Sequence, residues 1–155
     1  MDSTARTRDW IDIVEVTTAM ASLADRRDWD HLVTVFTERV ELDYTSLTGG
    51  EPAQLAPADI VAGWRAGLGG LDATQHLVSN HQVDLDGDHA VATAQFQATH
   101  VLANPYGGPL WTLGGHYRFG LARSEERWRI DAVTMTATWA TGNQQIMTLA
   151  AQENR

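Results

Sequence analysis

The sequence predicts an α+β fold: a curved antiparallel sheet, coned around an apolar pocket that three N-terminal helices enclose. Three observations predict it. Helically spaced apolar residues dominate the first half of the chain. Four long alternating segments fill most of the second half. Several polar residues stand in phase with the apolar faces of those segments.

The elements follow in order. From Trp10 to Asp25, Ile13, Val14, Met20, Ala21 and Ala24 recur at helical spacing. Asp28 or Asp30 can cap a second, shorter helix through Leu32, Val33 and Phe36. Val40 to Leu47 alternates, with Val40, Leu42 and Tyr44 on one side, and reads as a strand that Gly49, Gly50 and Pro52 end. Pro57 followed by Asp59 opens a third helix through Trp64, and Gly67, Gly69 and Gly70 stop it. Thr74 to Leu85 is a strand leading into the hairpin signal Asp86-Gly87-Asp88. Three further strands are expected at Ala90 to Leu102, Leu110 to Arg123 and Trp128 to Trp139. The tail from Thr141 reads as a short helix or as a loose end.

Composition narrows the function classes. The 155 residues suit one domain spanning 1–155, and 43% hydrophobic residues with six Trp supply a sizeable core. The net charge is −9, every basic residue is Arg, and no basic run exists, so neither nucleic acid nor an anionic membrane is an expected partner. Cysteine is absent, which removes disulfides, thiolate metal sites and a cysteine nucleophile. Met1 to Arg8 does not read as a signal peptide, and no apolar run is long enough to span a membrane. A cytoplasmic location is the resulting expectation. No phosphate-binding loop, dinucleotide fingerprint or nucleophile elbow appears among the 13 glycines. No cofactor is expected.

The informative residues are polar ones pointing inward. His100 shares a face with Phe96 and Ala98, Tyr44 with Leu42, and Tyr117 with Leu113 and Phe119. His76 could join either face of its strand, because Leu77 and Val78 pull in opposite directions. Asp25 ends the first helix, where it could meet a sheet histidine at the pocket rim. A carboxylate bonded to one imidazole nitrogen fixes the tautomer and raises the basicity of the other, giving a general acid/base. A tyrosine hydroxyl in the same cavity can stabilise an enolate. A lone inward histidine or tyrosine is usually a satisfied core residue, so the argument rests on their convergence. His31 and His89 sit at turns, and His116 and Arg118 fall on the outer sheet face. His81 stands near Asp84, Asp86 and Asp88, an acidic turn of the kind usually just solvated, and no metal site is expected. His76 and His81, five apart on a strand, fall on opposite faces.

These segments resemble a known family. Ala24-Asp25-Arg26-Arg27-Asp28-Trp29-Asp30, Leu42-Asp43-Tyr44, Thr74-Gln75-His76, His100, and Trp128 with Trp139 are similar, in order and spacing, to the SnoaL-like branch of the nuclear transport factor two-like superfamily. Within it they most resemble the scytalone dehydratases. The resemblance implies a cone-shaped, cystatin-like α+β barrel and a cofactor-free lyase that removes water from a hydroxylated bicyclic ketone. It implies that His100 and Asp25 form the proton-handling pair and that His76 is a second pocket histidine. Tyr44 would be one of two tyrosines holding a carbonyl-polarising water. The second falls at Ala24, the pocket serine near Gly115 and the pocket asparagine near Tyr117, so half of that equipment is changed.

The combined expectation is a cofactor-independent dehydratase or isomerase for a small hydrophobic hydroxy-ketone or polycyclic substrate. His100, held by Asp25, would take a proton alpha to a carbonyl, while Tyr44 and His76 bind the oxygen that gains charge. Tyr117, Leu47, Trp64, Phe96, Val133, Met135 and Ala137 would shape the substrate pocket. A polyketide cyclase or steroid-type isomerase is the alternative with the same dyad, and a non-catalytic binding module is the alternative without it. The resemblance implies a homo-oligomer, dimer or trimer, and the broad, polar outer sheet face carrying Gln95, Gln97, Thr99, Thr112, His116 and Arg118 is the kind that packs against a symmetry mate.

Overall fold

In the computed structural model, which describes residues 2–153, helix α1 (Ser3–Asp25) starts well before Trp10. It buries Asp9, Ile13, Thr17, Met20, Ala21 and Ala24, the one-sided stripe of an amphipathic helix. Met1, Asn154 and Arg155, the ends of the expected 1–155 domain, lie outside the described residues. Helix α2 (Trp29–Leu32) is capped by Asp28, whose carboxylate accepts from the His31 backbone N–H. It does not reach Phe36. The β-branched run Val33, Thr34 and Val35 tightens into a single 3₁₀ turn, and Phe36 already belongs to strand β1 (Phe36–Asp43).

The strand expected to run to Leu47 stops at Asp43. The Asp43 carboxylate accepts from the backbone N–H and the hydroxyl of Thr45, at 3.0 and 2.7 Å, and turns the chain into the one-turn helix α3 (Thr45–Thr48). A short strand β2 (Ala53–Leu55) follows, then α4 (Pro57–Leu68), with Pro57 in its first turn. The long strands are β3 (Ala73–Asp86), β4 (His89–Val101), β5 (Leu110–Ser124) and β6 (Arg127–Gly142). The tail forms helix α5 (Gln145–Glu153), which buries Ile146 and Ala150.

One sheet holds all six strands in the order β2-β1-β6-β5-β4-β3. The four long strands are antiparallel, as expected, with Gly87 at φ +60° in the tight β3–β4 turn. β1 departs from the expected pattern. It lies parallel to β6, with Leu42 beside Val133. The register of β5 with β6 shifts twice, between Gly114 and Gly115 and between Gly120 and Leu121. Such bulges bend a sheet, and here the helices occupy its concave side.

A third irregularity decides where histidines point. Between Ser79 and Gln82 the β3–β4 register slips, and Asn80 takes φ +58°. The inward parity therefore changes by one residue: Thr74, His76 and Val78 face α1 before the slip, and His81, Val83 and Leu85 after it. His76 and His81 share a face, contrary to the strict alternation expected. His81 Nε2 meets the Thr17 hydroxyl at 3.1 Å.

The far end of the molecule is pinned by charge. Asp9, buried on α1, accepts from Arg123 at 2.8 Å and from the Trp128 indole at 2.9 Å. The Arg123 guanidinium lies 4.5 Å from the centre of the Trp128 ring. The outer sheet face is open and polar at Gln95, Gln97, His116 and Arg118. Among the described residues, no helix is long and apolar enough to cross a membrane.

Candidate active site

A cavity of about 190 Å³ lies between the concave sheet and helices α1, α4 and α5. Its wall is mostly apolar, and its polar groups are two histidines and two tyrosines. The strands explain how these meet. On β3, Thr74 sits opposite His100 and His76 opposite Ala98. His76 and His100 are therefore diagonal neighbours, with the small Ala98 leaving room between them. Their rings stand 5.9 Å apart and nearly perpendicular.

Asp25, the last residue of α1, points its carboxylate at β3. It accepts from His76 Nδ1 at 2.7 Å, from the His76 backbone N–H at 2.7 Å and from the Thr74 hydroxyl at 2.8 Å. A carboxylate at a helix C-terminus meets the negative end of the helix dipole, so these three donors do necessary work locally. Burial pushes the Asp25 carboxyl up. The hydrogen bonds from His76 and Thr74 outweigh it, and the carboxyl is held below its ordinary value. The neighbouring Arg27 extends the network, donating to the Thr74 hydroxyl at 3.3 Å and to the Leu71 carbonyl at 3.1 Å.

The dyad is thus Asp25 with His76. The pairing of Asp25 with His100 expected from the sequence does not form. The carboxylate is taken by Thr74 and His76 on β3, and His100 Nδ1 instead meets the Trp111 carbonyl at 3.1 Å. A carbonyl only accepts, so Nδ1 carries the proton and Nε2 of neutral His100 is left as an acceptor. His100 is 4% exposed, and burial keeps its protonation below the usual histidine range. The two imidazoles differ in kind: His76 has a carboxylate behind it, His100 a neutral carbonyl.

Tyr44 and Tyr117 close the polar set. Tyr44 caps α3 and packs 6.2 Å from the Trp64 ring. Tyr117 stacks on Phe96 at 4.6 Å and Phe119 at 5.1 Å. Burial drives both phenols upward, Tyr117 to about 12, and the two hydroxyls interact with each other. Both are neutral donors at any physiological pH.

Of the remaining residues expected in the pocket, Leu47, Trp64, Phe96 and Met135 line the cavity. Val133 and Ala137 do not. Val133 is fully buried in the core, and the Ala137 backbone N–H is held by the Ser46 hydroxyl. Residues the sequence reading missed include Met20 on α1, Trp111 on β5 and Met147 on α5. Thr74 was also missed, although its place two residues before His76 sets it on the same face. Among the described residues, no three His, Asp or Glu side chains converge in a metal-holding group.

The comparisons agree with this architecture. A family model described as a SnoaL-like domain matches residues 5–134. The structure of the Kfla4162 protein from Kribbella flavida is 29% identical, covers 94% of this chain and 98% of its own, and superposes with a TM-score of 0.85. A candidate scytalone dehydratase from Novosphingobium aromaticivorans shares 17% identity, with 92% and 93% coverage and a TM-score of 0.76. A type 2 hexachlorocyclohexane dehydrochlorinase, LinA, shares 13% identity, with 90% and 92% coverage and a TM-score of 0.77. No protein of curated function matches the sequence. With a cone-shaped fold and a family model covering most of its length, the chain belongs to the SnoaL-like family.

Proposed function

We propose that the protein is a cofactor-independent lyase or isomerase that moves a proton next to a carbonyl group in a small hydrophobic substrate. The observation that carries this reading is the 2.7 Å contact between Asp25 and His76 Nδ1 at the wall of an apolar cavity. Asp25 is ionised, so Nδ1 carries the proton and Nε2 is the free lone pair. Nε2 takes a proton alpha to the carbonyl, and the imidazolium that forms is stabilised by the carboxylate behind it. Tyr117 donates to the carbonyl oxygen as it gains negative charge, and Tyr44, whose hydroxyl proton goes to Tyr117, strengthens that donor. His100 Nε2 accepts from a substrate hydroxyl and fixes its orientation.

In a dehydration, the enolate electrons close the new C=C bond as the C–O bond breaks. The departing hydroxide then takes the proton held by His76, giving water. In an isomerisation, the same proton returns to a different carbon. The names of the similar structures, a dehydratase and a dehydrochlorinase, favour elimination. His76 makes both proton transfers with Asp25 behind it, so the reading requires no cofactor. A cavity of about 190 Å³ suits one ring or two fused rings, which speaks against four-ring cyclase or steroid substrates entering whole. We further propose assembly into a homo-oligomer through the polar outer sheet face.

Proton abstraction is testable without the natural substrate. Small cyclic ketones incubated with the protein in D₂O should gain deuterium at the alpha carbon, read by mass spectrometry. His76→Gln should lower that exchange at least about a hundredfold while leaving the circular dichroism unchanged. No exchange across the ketone panel, or undiminished exchange in His76→Gln, rules the mechanism out.

A further inference from the structure

Helix α4 turns Ile60, Trp64 and Leu68 inward, the i, i+4, i+8 stripe of an amphipathic helix. Position 67 belongs to the same face, where such a helix places an apolar side chain. The chain has glycine there and again one turn earlier, at position 63. Both glycines line the cavity, Gly67 half-buried and Gly63 exposed to solvent. Neither has a positive φ, and a Cβ built on either meets no protein atom within 4 Å. Glycine weakens a helix relative to alanine. Backbone conformation does not require these two, and packing against the protein does not either. Gly70 just beyond the helix shows the contrast, because a Cβ there would collide with the Ala150 carbonyl oxygen.

His100 supplies an independent observation. It is 4% exposed, its Nδ1 is taken by the Trp111 carbonyl, and its Nε2 has no protein partner among the described residues. It lines the same cavity as Gly63 and Gly67. An acceptor that opens onto the cavity without a protein donor, beside space that two glycines keep clear, describes a ligand by its complement.

We propose that the bare α4 backbone at Gly63 and Gly67 is the ring-binding shelf of this site, on which a flat apolar ring lies while a hydroxyl on its edge donates to Nε2 of His100. Met20 and Met147 cover the ring with side chains that adapt to its outline. Gly67 sets the inner size limit and Gly63 the outer one. An apolar cavity of about 150 Å³ holds a benzene molecule, so the 190 Å³ here takes one ring or two fused ones. As a statement about substrate this rests on the proton-transfer reading above, but as a statement about binding it stands apart from turnover.

The test is calorimetric titration of the full-length protein with 2-naphthol, a flat two-ring alcohol. Wild type should bind it, and 2-methoxynaphthalene, which cannot donate, should bind about tenfold more weakly. Gly67→Ala should weaken 2-naphthol about tenfold by overfilling the shelf, and Gly67→Leu should abolish binding. Gly63→Ala should raise Tm by about 2–4 °C while also weakening the ligand. No binding of 2-naphthol to wild type, unchanged affinity in both position-67 variants, or equal affinity for the methoxy compound each overturns the proposal. So does a fall in Tm in both alanine variants, since the protein itself would then need the glycines. His76→Gln serves as the control. Retained 2-naphthol binding with no ketone exchange even in wild type defeats the proton-transfer reading alone, whereas exchange insensitive to the position-67 variants defeats the shelf alone.

Discussion

Asp25 stands within one network with His76 and outside any bond with His100, and a pair of double-mutant cycles measures that difference. The perturbations are Asp25→Asn, His76→Gln, His100→Gln and the two doubles that include Asp25→Asn. The Asp25–His76 bond is short, charge-assisted and sheltered, with side chains 17% and 14% exposed. Such a bond contributes about 1.5–3 kcal/mol. Removing either partner should forfeit nearly all of it, so the double variant should be less destabilised than the sum of the singles by about that amount. His100 feels Asp25 only through space, behind the stronger effects of its own burial and the Trp111 carbonyl. Its coupling to Asp25 should stay within about 0.5 kcal/mol. Urea unfolding at neutral pH reads both cycles, provided the slope with denaturant is constant across the set. A coupling for Asp25 with His100 equal to or larger than that with His76 would refute the assignment of the dyad.

Two further outcomes follow from the same coordinates. Burial lowers the proton affinity of both His100 and His81, so the unfolded chain binds these protons more readily than the folded one. Stability should be fully present above the unfolded histidine pKa of about 6.5 and be lost as pH falls through the lower folded values; His100→Gln should flatten part of that slope in a series of denaturant melts. Gly70→Ala would drive a Cβ into the Ala150 carbonyl of α5. It should cost about 1–3 kcal/mol and lower Tm by several degrees in a thermal melt, and an unshifted Tm would mean that α5 is not seated on the loop after α4.

The fold was legible because its main signals are local. Alternation along β4 and β5 gave correct faces for His100, Tyr117, His116 and Arg118. Asp28 and Pro57 marked helix starts that the structure keeps. The parallel seating of β1 beside β6 was not legible, since it joins segments far apart in sequence. The dyad was half legible. Every member was identified, yet the partner of Asp25 was misassigned, because the choice between His76 and His100 depends on β3–β4 register and on where α1 ends. His76 also stood on a strand whose phase was ambiguous from Leu77 and Val78. Only the structure shows Leu77 outside at 56% exposure and Val78 facing in. The slip at Asn80 was invisible for a related reason. A single positive-φ residue reverses parity for every later position, and no composition signal announces it.

The two histidines also show why a site like this cannot be read from residue types alone. Both are imidazoles on adjacent strands of one cavity, and both lend their Nδ1 proton to an oxygen of the protein. The oxygens differ. A carboxylate stabilises the imidazolium that His76 becomes when it takes a proton, whereas the Trp111 carbonyl offers His100 only a dipole, which burial overrides. The same side chain is therefore set up as a base in one place and as a fixed acceptor in the other. In the proposed mechanism, that division separates proton transfer from substrate orientation. The network of Thr74 and Arg27 is built around Asp25 and not around His100, and the proposed mechanism needs it there: the group that would change charge is the one whose counter-ion has to be held still.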